Sequence, residues 1–258
     1  HVLMLLFMRS VVVAVVFLVL LPGPAGGARL AVLWAGPRPG LLWLRSVLGG
    51  LAWALYFFAV AALPLPVLTT LMFTMPLFVA LLAGPLLGER VGARRAGLIV
   101  LGFTGVLAML RPGGGLFDVS AVLGLLAALS YALMMLATRA LSRSVSSATM
   151  VLHLSLALAI VSAAALPWTW RTPDATDLGL MLAIGGIVGI AQFSLAQAYR
   201  FGAAALVAPF DYVRLLWASA FGWWLWNDLP GGSVLAGALF VVASGLLLLV
   251  DERGRSRR

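Results

Sequence analysis

Apolar residues run along this chain in nine long blocks, separated by short knots of Gly, Pro and Arg. The blocks fall at 2–21, 41–62, 65–87, 93–110, 119–138, 148–167, 177–199, 203–226 and 232–250. A helix needs about 20 apolar residues to cross the hydrocarbon core of a bilayer, so each block predicts one transmembrane helix. Strands of a membrane barrel would instead be about 10 residues long with alternating polarity, and these runs are continuous. The connections are short, so consecutive helices run antiparallel. The pattern predicts an all-α, polytopic membrane protein.

Composition fits this reading: 63% of the 258 residues are hydrophobic, 10% are charged and the mean hydropathy is +1.11. The net charge of +9 comes entirely from Arg, since the chain has no Lys. If the tail DERGRSRR is cytoplasmic, thirteen Arg fall on that side, among them Arg38, Arg45, Arg94, Arg139, Arg143 and Arg200. Three, namely Arg9, Arg111 and Arg171, fall on the other, and Arg214 stays inside a span. That asymmetry follows the positive-inside rule and predicts a cytoplasmic C-terminus. It also marks an anionic lipid surface rather than nucleic acid as the basic partner. No Cys and only two His leave no basis for a metal cluster, and no cofactor is expected. With the C-terminus inside, His1 falls outside, and a further helix is expected before it.

The two halves resemble each other. Residues 63–110 run parallel in pattern to 202–250, with Phe73 on Tyr212, Phe78 on Trp217 and Glu89 on Asp228. Glu89 lies at a predicted cytoplasmic loop and Asp228 at an external one, so the copies are inverted. Inverted repeats meeting near the midplane build the sites of many secondary transporters. The repeats are taken as 1–112 and 113–258, the second carrying the short basic tail.

The run PLFVALLAGPLLGERVGARRAGLIVLGFTGVLAMLRPG in the first half is similar to the signature of EamA-like permeases of the drug/metabolite transporter superfamily. AQAYRFGAAALVAPFDYVRLLWASAFGWWLWNDLPGGSVLAGALFVVASGLLLL resembles the signature of their second half. The resemblance implies two inverted repeats of five helices, both termini cytoplasmic, and a substrate cavity between the halves. Nine spans are visible here because the first of those ten helices is expected to lie before His1. It further implies a bacterial inner-membrane permease, of a branch that includes carriers of riboflavin or S-adenosylmethionine.

Within that frame the polar residues inside spans are the candidate site. Arg214 sits near the middle of span 203–226, where an Arg costs about 2.5–3.5 kcal/mol on insertion scales. Asp211 is three residues away on the same helical face, near enough to pair. Either the pair is a structural clamp, or it lines a wet cavity in which Arg214 binds an anionic or carbonyl group and Asp211 contacts substrate or carries a coupling proton. Tyr212 and Trp217 flank the pair and could pack or stack a planar substrate. Gln192, Tyr131 and Tyr56 are further mid-span polar residues, each with an interhelical packing role as the alternative. His153, one turn into its span, is either a hydrogen-bonded interfacial residue or a proton-sensitive gate. Thr70 and Thr74 share a face of span 65–87, where their hydroxyls can also bond their own helix. Gly97 and Gly102 are expected to allow close helix packing.

The expected partners are a small-molecule metabolite and the lipid bilayer, with the chain acting as a monomer or homodimer. Without Lys the chain cannot carry the phosphate-binding loop of an ATPase, so a secondary transporter is expected. A channel or structural membrane subunit is the alternative. An intramembrane hydrolase is less well supported: Asp211 lacks a second intramembrane carboxylate, and no Ser-His arrangement is visible.

Overall fold

The computed structural model describes residues 2–20, 37–63, 65–88 and 119–208, with scattered positions between 94 and 105 and between 217 and 250. Among them are α1 (Val2–Leu20), α2 (Pro39–Ala62), α3 (Leu65–Met72), α4 (Met75–Leu87) and α5 (Val119–Leu141). They continue with α6 (Ser147–Ala163), the short α7 (Leu166–Thr169), α8 (Ala175–Phe201) and the short α9 (Ala204–Val207). No strand occurs among the described residues. Of these helices α2, α5 and α8 are each long and apolar enough to cross a membrane. The predicted spans 93–110, 203–226 and 232–250 lie largely outside the described residues.

Helix ends fall where polar side chains can replace lost backbone bonds. Ser146 precedes α6 in an extended conformation and its hydroxyl accepts from the Thr149 amide at 3.1 Å, an N-cap. Asp174 does the same for α8, accepting from the Asp177 amide at 2.7 Å. At the end of α5, Ser142 donates to the Arg139 carbonyl at 2.7 Å and Ser144 to the Leu141 carbonyl at 3.2 Å. The same two carbonyls also accept the Ser142, Ser144 and Val145 amides of the following turn, so the hydroxyls reinforce the helix end.

The block 65–87 is not one helix. It breaks at Phe73 and Thr74 into α3 and α4. The cause is Pro76, just inside α4: it has no N–H to offer the carbonyl one turn back, and its ring crowds that carbonyl. Thr74 turns its hydroxyl onto the Leu71 carbonyl at 2.6 Å, and its amide bonds the same oxygen at 3.0 Å. Thr74 therefore serves its own backbone, the structural alternative that the sequence left open.

The chain divides into two compact units. Unit 1 comprises 1–50 and 137–201; unit 2 comprises 51–136 and 202–258. Each draws one stretch from each half of the sequence, and α2 and α5 contribute to both.

In unit 1, α1 packs against α6 and α8. Along α1 and α8 the neighbours are Arg9 and Val12 with Gly185, Val13 with Gly189, and Phe17 with Phe193, so the two helices run parallel. Gly185 permits the approach, since a Cβ there would lie 2.7 Å from Val12 Cβ and 3.3 Å from the Arg9 carbonyl oxygen. Phe17 and Phe193 close the seam with ring centroids 5.6 Å apart. A core of Val13, Phe17, Leu42, Leu141, Met150 and Leu152 fills the space between helices.

In unit 2, Gly102 has a similar role: a Cβ would meet Leu77 at 2.6 Å and the Ser244 hydroxyl at 3.0 Å. Ser244 in turn donates to the Leu98 carbonyl. Gly97, expected to do likewise, has nothing among the described residues within 4 Å of a Cβ. In the same unit α9 lies against α4.

The α1–α8 contact predicts an asymmetric response at adjacent glycines. Gly185→Ala should destabilise the protein by about 1–3 kcal/mol through overpacking. Gly186→Ala, where a Cβ meets nothing within 4 Å, should leave it unchanged. Thermal unfolding of both variants in the same detergent reads the difference, and equal midpoints would refute the close approach.

Candidate functional site

Five helix ends meet at one end of unit 1: the starts of α2 and α6 and the ends of α1, α5 and α8. Three polar joints hold them. Arg139, in the last turn of α5, donates through Nη1 to the carbonyls of Tyr199 and Arg200, each at 3.0 Å. A guanidinium there meets carbonyls at the negative end of α8. Ser147, at the start of α6, donates to Gln197 Oε1 at 2.6 Å. The third joint is buried and lies two turns further in.

Its centre is Arg45 of α2, only 2% exposed. The Nε–H donates to Thr138 Oγ1 of α5 at 2.7 Å, and Nη1 donates to the Met150 carbonyl of α6 at 2.9 Å. One guanidinium thus spans three helices. Next to it, Ser46 Oγ is 2.7 Å from His153 Nδ1. Trp43 and the imidazole meet in a T-shaped pair at a centroid distance of 4.4 Å and an interplanar angle of 79°. His153 is 3% exposed, and among the described residues its Nε2 has no hydrogen-bond partner. The pairs Arg45–Met150, Ser46–His153 and Gly50–Leu158 make α2 and α6 run parallel.

Arg45 corrects one expectation. Its charge counted toward the basic loops, whereas the side chain lies inside the bundle. Arg38 already stands just before the first turn of α2, so seven residues further on Arg45 is past the boundary. A charge at that depth needs hydrogen-bonding partners, because exposing it to lipid is too costly. A position two turns inside an apolar helix was the available signal. Ser46 and Thr138 carried none.

The predicted site residues distribute as follows. His153 belongs to the buried joint. Gln192 is half-buried on α8, beside Phe193. Both are in unit 1. Tyr56, half-buried on the second part of α2, sits in an aromatic group with Trp53 and Phe57, at centroid distances of 6.0 and 5.9 Å. Tyr131 is half-buried on α5, and Trp217 is helical and 61% exposed. These three are in unit 2. Asp211, Tyr212 and Arg214 lie outside the described residues, as does the side chain of Thr70.

A profile of the EamA-like transporter family matches residues 1–111. Over 217 residues the sequence is 31% identical to a pseudopaline exporter of Pseudomonas aeruginosa (strain UCBPP-PA14), covering 83% of this chain and 76% of that one. The chain belongs to the EamA-like transporter family. Other members align over similar lengths. A riboflavin transporter of Rhizobium johnstonii is 31% identical over 215 residues, covering 83% of this chain and 71% of that one. An S-adenosylmethionine uptake transporter of Rickettsia bellii is 26% identical over 216 residues, 84% of this chain and 74% of that one. A protein of known crystal structure shares the fold, with a TM-score of 0.69 at 21% identity over 96% of this chain and 88% of that one. This EamA-like protein is therefore a helical membrane transporter, and its relatives are carriers rather than enzymes.

The buried joint makes a stability prediction. Thr138→Val removes the acceptor of the Arg45 Nε–H and should cost about 1.5–3 kcal/mol, the range for hydrogen bonds to charged groups. Thr138→Ser keeps the hydroxyl and should recover most of it. Thermal unfolding of the two variants separates lost bonding from lost packing.

Proposed function

We propose that this protein is a secondary transporter that moves a small metabolite across the bacterial inner membrane by alternating access, with its C-terminus in the cytoplasm. The observation that carries the reading is similarity along more than four-fifths of the chain to carriers of three different metabolites. Exporters and uptake transporters stand together among these relatives. The common scaffold thus works in either direction, set by gradients and coupling.

The substrate site is assigned to Arg214 and Asp211, with Tyr212 and Trp217 beside them and Gln192, Tyr131 and Tyr56 as further wall residues. The aligned stretch of the first half, TLMFTMPLF, has Met72 and Met75 where Asp211 and Arg214 stand. The charges belong to one copy only, so a symmetric scaffold does not require them. Two inverted repeats, 1–112 and 113–258, remain the proposed origin of the fold. In support, the two aligned stretches 63–110 and 202–250 both fall within unit 2. With the buried Arg45 set aside, twelve Arg against three still support the orientation, and the joint at the ends of α5 and α8 then faces the cytoplasm.

Reconstituted protein should take up or exchange at least one of riboflavin, S-adenosylmethionine or an amino acid in proteoliposomes. Arg214→Ala and Asp211→Asn should each reduce that flux by about 100-fold or more, the scale of a lost charged contact, with helix content and insertion unchanged. Normal flux in both variants would leave the pair as a structural clamp.

A further inference from the structure

A secondary transporter that accumulates substrate needs a second gradient, and a proton gradient needs a group that binds and releases a proton inside the bundle. Among the described residues the buried polar groups of unit 1 can be compared directly. Asp174 and Asp177 are exposed at the far end of α8. Arginine does not release its proton, and the serine and threonine hydroxyls do not titrate. An imidazole is the side chain whose ordinary range lies near neutrality.

The His153 ring is held for such a task. Nδ1 is engaged by Ser46 at 2.7 Å, the T-shaped contact with Trp43 fixes the ring plane, and Nε2 has no partner among the described residues. At 3% exposure nothing larger than a proton or a water reaches Nε2 unless the helices part. Resting on the transporter reading above, we infer that His153 carries the coupling proton and that binding it opens the Ser46–His153 and Arg45–Met150 joints between α2 and α6.

The chemistry balances without a further reactant. In the packed state the neutral ring shares one hydrogen with Ser46, whichever atom donates. A proton from the aqueous side adds to the ring, so that both nitrogens become N–H donors. Nδ1–H then obliges Ser46 Oγ to accept, and Nε2–H is a buried donor with no acceptor among the described residues. The cation also stands one helical turn from Met150, whose carbonyl holds the Arg45 guanidinium.

Charged or titratable side chains on the helices around α6 are Arg45 and Tyr56 on α2, Arg9 on α1, Tyr131 and Arg139 on α5, and Asp177, Tyr199 and Arg200 on α8, of which Tyr56 and Tyr131 belong to unit 2. Asp177 lies at the far end, Arg139 is turned to the carbonyls of α8, and Tyr199 is buried. Arg45 is the member joined to α6 beside the ring. A second positive charge there strains the joint, and separation of α2 from α6 relieves it. Loss of the proton allows the joint to close.

The test needs no substrate. Because the chain has no Cys, nitroxide labels can be placed through Leu44→Cys on α2 and Ser144→Cys before α6, in otherwise intact protein in nanodiscs. Lowering the pH from about 8 to about 5.5 should raise the separated population roughly tenfold, as expected for one coupled imidazole. His153→Gln should hold the short distance at every pH, and His153→Asn serves if that variant folds poorly. Ser46→Ala keeps the ring but loosens its hold, so its transition should begin at higher pH. The chain has two His, so imidazole nitrogen spectra of histidine-labelled protein read the ring's charge, with His1→Ala assigning the other signal.

A pH response that persists in His153→Gln, or that disappears in Asp211→Asn, would place the proton elsewhere and overturn the inference. So would a ring that stays neutral while the helices separate, or a wild type that shows no response. None of these outcomes bears on substrate flux, which tests the transporter reading separately.

Discussion

A guanidinium cannot be left bare inside an apolar helix bundle. That constraint organises one end of this protein. Arg45 is buried, and its charge is tolerable because a hydroxyl of α5 and a carbonyl of α6 converge on it. The planar head of Arg suits this better than the point charge of Lys, since its donors reach two helices at once in fixed directions. Once Arg45 is seated, Ser46 and Trp43 are fixed on the same turn of α2 and define where the His153 ring lies. A polar network is costly when partly satisfied and specific when nearly complete. Among the described residues of this joint, the imidazole Nε2 of His153 is the open position.

Elsewhere the packing is apolar and steric. Lipid tails are as apolar as leucine, so helices in a membrane associate through close fit and a few hydrogen bonds. Gly185 lets α1 approach α8 closely, and Gly102 does the same in unit 2. Both units mix segments from the two halves of the sequence. A polar seam at one end and glycine seams along the helices therefore bind stretches that are far apart in the chain.

Much of the helical layout was legible beforehand because it depends on local quantities. An apolar run of sufficient length is a helix in a bilayer, since backbone groups must be satisfied within the segment. Blocks 2–21, 41–62, 119–138, 148–167 and 177–199 became α1, α2, α5, α6 and α8 with small shifts at their ends. Pro76 was present in the block 65–87, but hydropathy does not register a missing amide, and the break at Thr74 was not anticipated. His153 was legible as an unusual residue in its span. Its partner was not, because Ser46 is 107 residues away and a tertiary pair leaves no spacing signal. Arg45 was misplaced for a related reason: charge counting ranks residues by loop, and the depth at which a side chain is held depends on distant helices. The charged pair Asp211 and Arg214 is fully legible as chemistry and lies outside the described residues.

The distance along the chain between Arg45 and its partners has a consequence for biogenesis. Thr138 follows it by 93 residues and Met150 by 105. At about 5–20 residues per second, the helix bearing Arg45 leaves the ribosome several seconds before either partner exists. Throughout that interval the charge must shelter at the membrane surface or within the insertion machinery, and α2 cannot settle to its final depth. Assembly of this end is thus post-insertional by construction: the first-half helix is delivered early and drawn inward when α5 and α6 arrive.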